Sequence, residues 1–122
     1  MLLFGAFLIA HGLVHAAIYS IPPDPDKPAS FDPRRSRVLA AAHVDLERSA
    51  TVSVAMSWVV ALLYVGAGSA FLADSSAWLS LGVSAAALGL VLKGLFFHPW
   101  LVIGVLVDVA ILWTHVSSLA SG

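Results

Sequence analysis

The chain has 122 residues, 60% of them hydrophobic and 11% charged, with a mean hydropathy of +0.95 and a formal net charge of −1. This composition lies outside the soluble range and requires lipid as solvent, and the absence of a basic arm excludes a nucleic-acid-binding module. Cysteine is absent, which excludes disulfides, iron–sulfur clusters, thiolate zinc sites and a cysteine nucleophile, so a metal here would need His and carboxylate ligands.

The first apolar segment, residues 1–20, is long enough to span, since roughly 20 residues cross a hydrocarbon core of ~30 Å. A cleaved signal peptide is the competing reading. The lack of basic residues before the apolar run and the two histidines inside it speak against removal. His11 and His15 are four apart and share one helix face.

Residues 21–30 hold four of the six prolines, so this stretch is a linker through which no helix runs. Asp32 is placed to cap a helix that begins at Pro33. Its charged opening, with Arg34, Arg35, Arg37, His43, Asp45, Glu47 and Arg48, belongs at or beyond the membrane surface. The spacing predicts that this helix continues unbroken into a second span over 49–73. Arg34, Arg35, Arg37 and Arg48 form a basic patch, read as a topology signal and headgroup contact, or alternatively as a docking point for a partner subunit.

Ser49, Ser53, Ser57 and Ala61 recur every fourth position, a row of small side chains suited to close helix packing in lipid. After a polar turn in which Asp74 can cap, a third span is predicted over 77–97. Gly82, Ala86, Gly89 and Lys93 continue along one row. Lys93 is expected to snorkel to the interface, with pairing to Asp108 as the alternative. His98 precedes Pro99, which marks a tight turn and makes His98 an interfacial residue. The fourth span, 100–120, carries Trp100 and Trp113 toward the two interfaces, and Asp108 and His115 seven apart on one face.

These elements predict an all-α polytopic membrane protein, a single transmembrane domain arranged as an up-and-down bundle of four transmembrane helices, with a loop and juxtamembrane helix over 21–48. All six Lys and Arg residues lie in or near the loops on one side. That side is expected to be cytoplasmic, with both termini outside and a bacterial inner membrane as the setting.

Helix rise places Asp108 about 12 Å from the cytoplasmic end of its span, and His15 and His11 about 9 and 15 Å from that end of theirs. The first and last helices of such a bundle are neighbours, so His11, Asp108 and His15 are expected to cluster, with His115 two turns further out. Four chemistries suit this set. The cluster can be interhelical glue; it can relay protons in a proton-coupled small-solute transporter; it can hold a divalent metal through His11, His15 and Asp108; or its histidines can hold haem b, opposite His115 or His98, in an electron-transfer anchor. His-Gly-Leu-Val-His lacks the glutamate that follows the first histidine in the zinc metalloprotease motif.

In length and span count the chain is similar to the small multidrug transporters. Their intramembrane glutamate has no counterpart here, although His11 stands at a similar depth. The expected role is a non-enzymatic accessory subunit or homo-oligomeric component of a membrane assembly, with no cofactor as the default.

Overall fold

The computed structural model describes residues 1–21, 26, 32 and 35–122. Expectations resting on the proline-rich linker, Pro33, Arg34 and the side chain of Trp100 lie outside the described residues. The described residues form an all-α bundle of four long apolar helices: α1 (Leu2–Ser20), α3 (Leu46–Leu72), α4 (Ala77–Leu95) and α5 (Val102–Ser121). Each is long and apolar enough to cross a membrane. A short helix, α2 (Arg37–Ala41), precedes α3, and a single tight turn over Pro99–Leu101 leads into α5.

The expected unbroken helix from Pro33 into the second span is corrected by this arrangement. Ser36 caps α2, its hydroxyl accepting from the Leu39 amide at 3.1 Å. The helix then stops after one turn. His43 adopts a left-handed conformation (φ 59°), and the amides of His43 and Val44 return to the carbonyls of Ala40 and Leu39, the paired bonds that close a helix end. Asp45 restarts the chain as α3 by accepting from the Arg48 amide at 2.8 Å. Two short polar side chains therefore offer the backbone a cap where a continuous helix would have left them idle.

The α3–α4 turn repeats the device. Asp74 takes the left-handed position (φ 54°), and its amide and that of Ser75 bond Phe71 and Ala70. Asp74 thus closes α3 instead of capping α4, whose first amide, that of Ala77, donates to the Ser75 hydroxyl at 3.4 Å.

Ser36 also ties α2 to the bundle. Its hydroxyl donates to the Leu95 carbonyl at the end of α4, satisfying one of the carbonyls that a helix terminus leaves open. Ser36→Ala should cost α2 about 1 kcal/mol through the lost cap. Faster amide hydrogen exchange over Arg37–Ala41, with the four long helices unchanged, is the expected readout.

Close packing follows chain order: α1 lies on α3, α3 on α4, and α4 on α5. The buried stripe of α1 is Gly5, Leu8, Gly12, His15, Ala16 and Tyr19, a three-and-four spacing that defines one face. On α3 the buried face is Ser49, Ser53, Ser57, Val60, Ala61, Tyr64, Ala67 and Gly68. A Cβ on Gly12 would lie 2.9 Å from the Ala61 carbonyl, and one on Gly68 would lie 2.6 Å from the Gly5 carbonyl. Small residues bring these two backbones together, which is how helices gain contact in a solvent as apolar as their own side chains. Ser53 and Ser57 satisfy their hydroxyls on Ala50 and Val54 of their own helix.

The expectation that the first and last spans pack side by side needs correction. Their backbones make no extended close contact, and they meet through side chains across a wider seam. α5 buries only Asp108, Ile111 and His115, and presents Ile103, Leu106, Val109 and Trp113 outward. An apolar exterior, with polar groups such as Asp108, Lys93 and His15 turned into the interior, matches a lipid-embedded bundle.

Candidate functional site: a carboxylate held by four spans

Asp108 is fully buried near the middle of α5. Its Oδ1 lies 2.7 Å from His11 Nε2 of α1 and accepts from the Tyr64 hydroxyl of α3 at 2.7 Å. Its Oδ2 accepts from Lys93 Nζ of α4 at 2.5 Å. The three other long helices therefore each supply a group to the single carboxylate of α5.

His15 extends the network. Its Nδ1 is 3.0 Å from the His11 carbonyl one turn back, so Nδ1 carries hydrogen and Nε2 offers a lone pair in the neutral ring. Lys93 Nζ is 2.5 Å from that Nε2. The ammonium thus lies between an imidazole nitrogen and a carboxylate oxygen that are themselves 3.6 Å apart. With both rings neutral, the Asp108 carboxylate and the Lys93 ammonium balance. Each charge alone costs about 2.5–3.5 kcal/mol at a helix centre on insertion scales, and pairing with hydrogen bonds offsets this.

Glycines make the room. A Cβ on Gly89 would meet Asp108 Oδ2 at 2.6 Å and His15 Nε2 at 3.3 Å, and one on Gly104 would meet Lys93 Cε at 2.8 Å. The row Gly82, Ala86, Gly89, Lys93 is therefore an inward face whose missing side chains leave space for polar groups of the other helices. Around the site, the His11 and His15 rings pack edge-to-face at 4.7 Å between centroids, and His11 packs on Tyr64 at 4.9 Å.

Lys93 does not snorkel. Only 4% of it is exposed, and the reason lies in helix geometry: side chains tilt toward the N-terminus of their helix. A lysine close to the C-terminal end of a span therefore leans into the membrane, and its long stem carries Nζ to the level of Asp108. Tyr64 has no place in the sequence-derived cluster. Its signal is the small row of α3, since Ser57 and Ala61 followed by Tyr64 keep the same three-and-four spacing and put the phenol on the buried face.

His115 is buried but apart. Its Nδ1 faces its own Ile111 carbonyl at 2.7 Å, and its ring lies against Trp78, with centroids 4.6 Å apart. His98 sits in the turn between α4 and α5. Of the basic patch, Arg35 and Arg48 are exposed beside Asp32 and Asp45, at 3.3 and 3.6 Å, and Arg37 is exposed at the start of α2. Arg34 lies outside the described residues.

His11, His15 and Asp108 each offer one ligand atom within 4.8 Å of the others, a donor set suited to a divalent metal. Lys93 already supplies a cation between two of those atoms. A metal there would have to displace it. Bis-histidine haem ligation needs two imidazole nitrogens facing across an iron. Here the Nε2 atoms of His11 and His15 are engaged with Asp108 and Lys93, and that of His115 is packed against Gly82.

Comparison with protein-family models, with curated proteins and with solved structures finds no match. The functional reading rests on the site itself.

Proposed function

We propose that the protein is a proton-coupled integral membrane protein, in which the Asp108, Lys93 and His15 network takes up and passes protons to drive a small solute or a partner subunit. One observation carries this reading: Lys93 Nζ stands 2.5 Å from both His15 Nε2 and Asp108 Oδ2. A single proton leaving the ammonium has two acceptors within one hydrogen bond. Transfer to His15 gives an amine and an imidazolium; transfer to Asp108 gives an amine and a carboxylic acid. Neither step changes the net charge of the buried cluster, so neither requires a new unpaired charge in the membrane.

His11 links the network to the seam between α1 and α5. Its side chain is 11% exposed while Asp108 is fully covered. Proton entry beside His11 therefore needs less rearrangement than entry anywhere else around the carboxylate. A chain this small has little volume for a private solute cavity, which favours operation as a homo-oligomer or as a subunit of a larger assembly. The one-sided placement of Lys and Arg supports a bacterial inner-membrane orientation with both termini outside the cytoplasm.

Proteoliposomes carrying an internal pH dye and an imposed potassium diffusion potential test the proposal. Wild-type vesicles should acidify well above empty ones. Asp108→Asn should lower the rate by about a hundredfold, the low end of what a positioned proton-transfer group contributes. Wild-type vesicles no faster than empty ones would sink the proton reading and leave the cluster as interhelical glue.

A further inference from the structure

The cation beside Asp108 is carried on a flexible stem that has a second place to go. Lys93 stands two residues before the end of α4, so helix rise puts it about 3 Å from that end. Turned the other way, its stem carries the ammonium to the membrane interface. The groups it would leave behind are the Nε2 lone pair of His15 and the carboxylate of Asp108, with His11 Nε2 beside them.

The surroundings of these groups suit a metal ion. The His15 Nδ1 hydrogen is held on the His11 carbonyl at 3.0 Å, the outer contact that fixes the tautomer of a metal-ligating histidine and frees its other nitrogen. Tyr64 donates to Asp108 Oδ1 at 2.7 Å, which orients the carboxylate and leaves Oδ2 for an ion. Ligand atoms 2.0–2.2 Å from a tetrahedral ion are about 3.3–3.6 Å apart. His15 Nε2 and Asp108 Oδ2 already stand 3.6 Å apart. The ligand atoms of His11, His15 and Asp108 all lie within 4.8 Å of one another, so His11 has about 1 Å to close. On the α4 side the gap is lined by a glycine, since a Cβ on Gly89 would fall 2.6 Å from Asp108 Oδ2 and 3.3 Å from His15 Nε2.

We propose that His11, His15 and Asp108 bind a divalent transition metal of the zinc class in the place that the Lys93 ammonium now holds. This ion is the solute of the proton-coupled reading; its transport rests on that reading, while the binding site rests on geometry alone. Two imidazoles, one carboxylate and an open fourth position are a complement that zinc accepts, with one negative ligand against its two charges. Magnesium and calcium seek oxygen, and two nitrogen donors select against them. His11 ligates through the tautomer with hydrogen on Nδ1, which keeps the ring neutral. The seam between α1 and α5, where the His11 side chain is 11% exposed, is the side from which an ion reaches the cluster. Because ammonium and metal exclude each other from one space, each weakens the hold of the other by the same factor.

Metal binding to the full-length protein in detergent micelles tests the inference. With excess cobalt, the wild-type protein should show the visible absorption of a four-coordinate ion, and zinc should abolish it by displacement. Lys93→Met removes the competing cation, so zinc should bind at least about fivefold more tightly than to wild type, and should raise the unfolding midpoint of this variant by replacing the counter-charge that Asp108 has lost. His15→Leu should weaken binding by more than about a hundredfold, since even the outer partners of a ligand contribute up to that much. A wild-type cobalt form without such absorption overturns the inference, and so does zinc affinity that is equal in wild type, Lys93→Met and His15→Leu. In proteoliposomes, an imposed pH gradient should drive zinc onto an entrapped dye. Proton flux in a protein that binds no metal removes the metal site and leaves the proton-coupled reading. Zinc binding in a protein without proton flux keeps the site and overturns its transport role.

Discussion

Asp108→Asn should destabilise the folded bundle by about 3–5 kcal/mol, because it leaves the Lys93 ammonium buried without its counter-charge. The variant keeps the volume of the side chain, so the loss is electrostatic and not a packing defect. Lys93→Met alone strands the carboxylate in the same way. The double variant Asp108→Asn, Lys93→Met removes both charges and should recover most of the loss, so the coupling energy in a double-mutant cycle is opposite in sign to the single losses and close to their sum in size. Unfolding in mixed micelles measures it. Simple additivity of the two single losses would mean that the pair is not formed. By comparison, Arg35→Ala removes a solvent-facing ion pair with Asp32 and should change stability by about 0–1 kcal/mol.

Gly68→Ala should be the most damaging single-methyl change in the bundle interior. The added carbon falls 2.6 Å from the Gly5 carbonyl, 2.7 Å from Ile9 Cγ1 and 3.2 Å from the Ile9 amide nitrogen. Two of these three atoms are backbone and cannot rotate away, so α1 must move off α3. Overpacking of this kind costs about 1–3 kcal/mol. Gly94→Ala is the matched control: nothing lies within 4 Å of its added carbon, and alanine is preferred to glycine in a helix by about 0.8–1.0 kcal/mol. The two variants should therefore shift unfolding in opposite directions. Equal effects would contradict the close α1–α3 seam.

Much of this architecture is legible from the sequence. Four apolar runs of spanning length, the Ser49 to Ala61 row and the proline before the last span specify an all-α four-span bundle, because lipid forces the backbone to satisfy itself within helices. His11, His15 and Asp108 are recognisable as a set because an intramembrane charge needs a partner and helix rise matches their depths. The network in which they sit is harder to read. Lys93 is drawn to the interface by a rule about long stems, yet the tilt of helical side chains turns a C-terminal lysine inward and the small row it belongs to faces the core. Tyr64 is missed because tyrosine in an apolar run reads as hydrophobic, although its hydroxyl must find a partner once buried.

The helix break between Ala41 and Leu46 escapes for a different reason. His43 is not a residue that announces a left-handed turn, and only the caps supplied by Ser36 and Asp45 favour stopping and restarting over continuing. His115 shares the buried face of α5 with Asp108, but two turns of helix keep it in a separate layer. The glycines opposite both sites, Gly82 and Gly89, are visible as a packing row. What they make room for depends on the facing helix, which periodicity within one segment does not reveal.

Solid-state ¹⁵N NMR of histidine- and lysine-labelled protein in bilayers tests the central arrangement most directly. His15 should carry its hydrogen on Nδ1, its Nε2 should be unprotonated and show a through-space correlation to Lys93 Nζ, and Asp108→Asn should weaken this correlation. A His15 ring protonated at Nε2 alone, with Lys93 exchanging freely with bulk water, would contradict it.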